Sequence, residues 1–137
     1  MTMEIKVQDN FKRTQAELLK ISRKILYLLG IKWLENVTRE ISSGFGKPIV
    51  DTGRLRASMS FITADVNGGN SGVYNSKPTD QINGNAPKNS LIMGTNVEYA
   101  SGIETGTGKV SARPFLKNSI VNYAKDYKNI VEKELKK

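Results

Sequence analysis

The sequence predicts an α+β fold: a long N-terminal helix, a small antiparallel or mixed sheet of about three to four strands with a long hairpin loop, a short helical turn and a C-terminal helix. Three observations predict it. Apolar residues recur at three- and four-residue steps near the start and again near the end, and between them two short stretches, 58 to 66 and 90 to 95, have strand character. No internal repeat is present, and at 137 residues the chain is read as one domain, with the helix in 1 to 46, sheet and loops in 47 to 112 and the last helix in 113 to 137.

From Asp9 to about Ser43, Phe11, Leu18, Ile21, Ile25, Leu28, Leu29, Trp33, Val37 and Ile41 form one helical stripe. Asp9 or Asn10 can cap its start, and Ser42-Ser43-Gly44 with Gly46 and Pro48 ends it. Gly30 costs about 1 kcal/mol relative to alanine inside a helix and marks a bend or break. Unbroken, the element spans ~50 Å, more than one small core needs. Its apolar face is therefore open to cover by a neighbouring subunit as well as by the chain's own sheet.

Pro48 disfavours helix at Lys47, and Asp51 can cap a short turn through Leu55. Met59, Phe61, Thr63 and Asp65 then alternate with Ser58, Ser60, Ile62 and Ala64 as a strand. From Asn67 to Ser90 the chain is polar, with turn signals at Asn67-Gly68-Gly69 and Asn83-Gly84 and a short strand around Val73-Tyr74. That length suits a mobile hairpin or a functional loop. Ser90 to Thr95 reads as a strand beside 58 to 66, followed by a helical turn over Val97 to Ile103 and a glycine-rich stretch. Pro114 suits the first turn of the last helix, whose apolar face runs from Phe115 and Leu116 through Ile120, Tyr123, Tyr127 and Ile130 or Val131 to Leu135.

Composition narrows the chemistry. The chain has no cysteine and no histidine, which removes thiolate and imidazole nucleophile pairs, the common zinc ligand sets and disulfides. Glu98 and Glu104 are the only close acids in the motif-rich region, at a spacing that is diagnostic of nothing. No enzyme activity and no cofactor are expected. The stretch GIETGTGKVS, 102 to 111, has the glycines, lysine and hydroxyl of a phosphate-binding loop. Its spacing fails: Ile103 stands where the first glycine is needed, and Val110 follows Lys109 where the metal-binding hydroxyl is needed. No apolar run approaches the ~20 residues that cross a bilayer, so no membrane partner is expected.

The net charge is +8 and belongs to the ends. Residues 1 to 47 hold nine Lys/Arg against five Asp/Glu, 48 to 109 five against five, and 110 to 137 seven against three. Solvated helix faces account for this pattern, since acids are interspersed and aromatic residues are sparse. A basic nucleic-acid-binding module is the alternative function.

Three stretches carry a family resemblance: Val50-Asp51-Thr52-Gly53-Arg54-Leu55-Arg56-Ala57-Ser58, Tyr99-Ala100-Ser101-Gly102-Ile103-Glu104-Thr105-Gly106-Thr107, and Ala112-Arg113-Pro114-Phe115-Leu116. In that order they resemble the tail-completion proteins of tailed phages, also called head-tail joining or neck proteins and minor tail components. The resemblance covers 50 to 116 by motif and the whole chain by layout. It departs at Gly102, where a bulkier residue is usual, at Thr105, which replaces a frequent aromatic, and in the 67 to 90 loop.

The resemblance implies a structural virion protein that joins the head connector to the tail tube or tail terminator. It would assemble as a hexameric ring through which DNA passes without specific recognition. Assembly would take place in the host bacterial cytoplasm, with no cofactor. From the residues themselves, Asp51 caps a turn, Gly53 supplies backbone freedom and Leu55 anchors that turn in the core. Arg54 and Arg56 are candidates to meet acids of a neighbouring subunit. Tyr99 is expected to bury its ring and bond through its hydroxyl. Glu104 is read as a partner for Arg54 or Arg113, or as a cap for nearby N–H groups. Pro114-Phe115-Leu116 is read as the start and core anchor of the last helix.

Overall fold

The computed structural model describes residues 2–6, 15–43, 52–69, 78–108 and 111–136. Asp51, the 9 to 14 part of the expected first helix, the strand expected at Val73-Tyr74 and the end of the glycine-rich stretch at 109 to 110 lie outside the described residues. The order is β1 (Thr2–Lys6), α1 (Gln15–Ser43), α2 (Thr52–Ser58), β2 (Ser60–Ile62), β3 (Asn67–Gly69), β4 (Ser90–Gly94), α3 (Ala100–Thr105), α4 (Phe115–Val121) and α5 (Ala124–Leu135). A single 3-10 turn covers Pro78–Asp80. The fold is α+β, as expected.

All strand pairs are antiparallel, in the order β1-β4-β2-β3. Strand β1 departs from the helix that the sequence predicts over 1 to 46. Its residues Thr-Met-Glu-Ile-Lys carry the two-residue alternation of a half-buried strand, and Met3 stands opposite Met93 on β4. The β2–β4 pairing expected between the two strand stretches is present, with Phe61 opposite Met93 and Ile62 opposite Ile92.

Alternation along these strands sorts the side chains into two layers. Phe61, Leu91 and Met93 join Ile25, Leu29, Trp33, Val37 and Ile41 of α1 in the main core, along with Leu55, Ala100, Phe115 and Leu116. On the opposite face Ile62 and Ile92 pack with Ile82 and Ala86. The segment from 78 to 89, expected to belong to a mobile or functional loop, thus contributes to a second small core. It is stitched down by Ile82 N–H to Ser60 Oγ (3.1 Å), Gln81 Nε2 to the Ala57 carbonyl (3.2 Å) and Asn96 N–H to the Asp80 carbonyl (2.8 Å).

Helix α1 runs without a break through Gly30, contrary to expectation. The glycine answers a packing demand instead: a Cβ there would lie 2.6 Å from the Phe61 ring, and one on Gly68 of β3 would lie 2.4 Å from the same ring. Phe61 therefore fits between a glycine on the helix and a glycine on the neighbouring strand. The expected strand from 58 to 66 is cut short at Ile62 for a local reason. Thr63 Oγ1 accepts the N–H groups of Asp65 (3.3 Å) and Val66 (2.9 Å), while Thr63 N–H donates to the Val66 carbonyl (2.8 Å). This side-chain turn places Asn67-Gly68-Gly69, read as the turn, in β3.

The single C-terminal helix of the expectation is two helices. The backbone leaves helical geometry at Tyr123 (φ −121°), and the bend turns that ring onto α1, where its hydroxyl donates to Glu40 (3.1 Å) under the Arg39 guanidinium (5.8 Å from the ring centroid). Among the described residues, no helix is long and apolar enough to cross a membrane.

Candidate functional site

The described parts of the three motif stretches form a junction linked in series, α2 to the start of α3 through Arg54 and α3 to the start of α4 through Glu104. Its apolar floor is Leu55, Ala100, Phe115 and Leu116, all buried in the main core. Leu55, Phe115 and Leu116 thus take the anchoring places expected of them. Helix α2 is locked to the chain after β4 by a bond between the Ser58 and Thr95 hydroxyls (2.6 Å), and Val97 N–H donates to the same Thr95 oxygen (3.0 Å).

Above this floor Arg54 lies between two carboxylates. Its Nε and Nη2 donate to the two oxygens of Asp80 (3.1 and 3.0 Å), and Nη1 and Nη2 donate to those of Glu98 (3.0 and 2.9 Å). The guanidinium carbon stands 5.5 Å from the centroid of the Tyr99 ring, within cation–π range. The Asp80 side chain is 5% exposed, Arg54 14% and Glu98 72%, so the inner pair is enclosed and the outer acid faces solvent. Asp80 first, then Glu98, raise the Arg54 pKa, and Arg54 holds the Glu98 carboxyl below its ordinary value. The expected partner of Arg54 was Glu104 or an acid of a neighbouring subunit; Asp80 and Glu98 of its own chain hold it instead. Arg56 likewise turns inward, donating to Ser42 Oγ on α1 (3.1 Å).

Glu104 takes the capping role. Its Oε2 accepts the N–H of Leu116 and its Oε1 the N–H of Lys117, both at 2.9 Å. Pro114, at the N-cap position, provides no side-chain cap. Glu104 therefore satisfies two of the orphan donors of α4 from outside the helix and places negative charge at the positive end of its dipole. The preceding chain is shaped for this. Gly106 ends α3 in the left-handed region (φ +83°), with its N–H on the Gly102 carbonyl (2.9 Å), and Arg113 N–H returns to the Ile103 carbonyl (2.7 Å). Thr107 is exposed beyond Gly106.

Asp80 is the junction residue that sequence reasoning missed. It lies within a polar segment, 26 positions from Arg54, and no motif spacing links the two. The arrangement supplies fixed electrostatics and rigid packing. Among the described residues no group of three or more acidic side chains is placed to hold a metal ion. Comparison with protein-family models, curated proteins and solved structures finds no match for the chain.

Proposed function

We propose that the chain is a non-enzymatic structural protein that completes the tail or neck of a tailed phage or phage-tail-like particle. In this reading it joins the head connector to the tail tube as an oligomeric ring in the virion. One observation supports the proposal: three stretches that resemble tail-completion motifs, separated by up to about fifty residues of chain, are joined in series by side-chain contacts. Arg54 reaches over Tyr99 from the first to the second, and Glu104 caps the helix that the third begins.

The competing reading as a nucleic-acid-binding module draws on the +8 charge. Several arginines are engaged inside the chain, Arg54 by Asp80 and Glu98, Arg23 by Asp65 and Arg39 by Glu35, which gives that reading less support than the net charge alone suggests. Pull-down with purified connector and tail-tube proteins tests the proposal. Retention on either ring at physiological salt is the expected result. Failure on both, together with DNA affinity that falls steeply with salt through counterion release, would replace it with the alternative.

A further inference from the structure

The chain holds two Asn-Gly pairs, Asn67-Gly68 and Asn83-Gly84, and the fold treats them oppositely. Gly68 lies opposite Phe61 in the β2–β3 pairing. Thr63 N–H donates to the Val66 carbonyl (2.8 Å), and hydrogen-bonded pairs alternate along an antiparallel ladder, so Phe61 and Gly68, two residues on, are again such a pair. The Phe61 ring also covers this glycine, since a Cβ there would lie 2.4 Å from it. Asn83 and Gly84 are both exposed, and among the described residues neither makes a hydrogen bond. Gly84 turns in the left-handed region (φ +101°), where a Cβ would meet nothing within 4 Å. On either side of the pair, Ile82 and Ala86 are buried in the small core.

We propose that Asn83 is a site of spontaneous covalent modification, at which the side-chain amide is lost as ammonia while Asn67 keeps its own. Asn-Gly is the pair whose chemistry favours this step, because glycine has no Cβ to hinder the approach of its backbone nitrogen to the preceding side chain. A base, hydroxide or buffer, takes the Gly84 N–H proton, and the nitrogen attacks the Asn83 side-chain carbonyl carbon. The new C–N bond closes a cyclic imide, and the old one breaks as ammonia leaves with a proton from water. Water then opens the imide at either carbonyl, giving aspartate or isoaspartate. Nothing is oxidised or reduced, and the net charge of +8 falls by one. Isoaspartate also routes the main chain through the former side-chain carbon, which lengthens it by one atom between the anchors Ile82 and Ala86. The same segment holds Asp80, the inner partner of Arg54, and is fastened through Gln81 and Ile82. At Gly68 the attack would first require the ladder bond to break and the strand to leave the Phe61 ring. None of this depends on the neck function.

Ageing the folded full-length chain in mildly alkaline buffer tests this, with peptide mapping by mass spectrometry that separates asparagine, aspartate and isoaspartate at each position. Asn83 should convert faster than every other asparagine. It should exceed Asn67 by about tenfold or more, the factor imposed by a local opening of about 1.4 kcal/mol at β3. In concentrated urea the two pairs should convert at the same rate, with Asn83 little changed and Asn67 accelerated. Asn83→Gln, at an exposed position, should remove the early acidic species and leave the urea midpoint of the fresh protein unaltered. The isoaspartate form, separated by ion exchange, should unfold at lower urea than the fresh chain. Equal rates at Asn67 and Asn83 in the folded chain, or an Asn83 rate that rises about tenfold on unfolding, would overturn the proposal. Earlier conversion of any other asparagine would do the same.

Discussion

On one side of α1, Ile25, Leu29, Trp33, Val37 and Ile41 disappear into a core shared with Phe61, Leu91 and Met93. Toward α5 the same helix offers Lys24, Asn36 and Glu40, which meet Glu134 (3.1 Å), Tyr127 (3.1 Å) and Tyr123 (3.1 Å). The Tyr127 hydroxyl in turn donates to the Ser119 carbonyl, and Trp33 Nε1 donates to Ser119 Oγ (3.0 Å), so Ser119 joins the two C-terminal helices to this network. The apolar partners on this side, Ile130, Val131 and Leu135, are only partly buried. Non-directional burial holds the sheet, whereas α5 depends on geometrically demanding polar bonds. The difference predicts a rigid framework carrying a C-terminal helix that opens at lower free energy.

The largest expected effect is on the sheet side. Phe61→Ala should cost about 3–5 kcal/mol in chemical denaturation by emptying the space between Gly30 and Gly68. Gly30→Ala tests the same contact from the other direction: overpacking of about 1–3 kcal/mol should outweigh the ~1 kcal/mol gained in helix propensity. A stabilised variant would mean that the close approach does not constrain α1.

On the α5 side, Tyr127→Phe should cost about 1–3 kcal/mol, since it removes the acceptor of Asn36 and the donor to Ser119. Burial raises the Tyr127 pKa to about 12 from an ordinary 10. Its contribution is therefore complete below pH 10 and lost as pH rises toward 12, and this alkaline loss should vanish in Tyr127→Phe. Hydrogen exchange should show α5 amides opening before those of α1 that face the sheet.

Smaller again, Glu104→Ala should cost about 1 kcal/mol by uncapping α4. The acid limb of stability should report the junction. Arg54 depresses the Glu98 pKa below its ordinary 4.5, so that stabilisation is present above pH 4.5 and lost as pH falls through the lowered value. In Arg54→Gln this part of the acid slope should disappear from thermal melts.

Much of this architecture was legible because its signals are local. The α1 stripe, the Ser90 to Thr95 strand and the Phe115-Leu116 anchor follow from periodicity and from Pro114. Strand β1 carried a readable alternation but was absorbed into the helical stretch that follows it. The helix break at Tyr123 depends on partners on α1, and the β2 turn depends on Thr63 bonding the backbone where an Asn-Gly pair close by gave the stronger turn signal. Gly30 was misread because a glycine's cost to a helix is visible in sequence, whereas a ring pressed against it is not. At the junction, the Glu104 cap was among the foreseen roles. Asp80 was hidden because a bond across 26 residues leaves no periodic trace.

Electron microscopy of particles containing a tagged form of the chain tests the central claim most directly. The account predicts label at the head-tail joint, with averaged particles showing a ring there. Label on heads, along the tail shaft, or only on protein outside particles would contradict it.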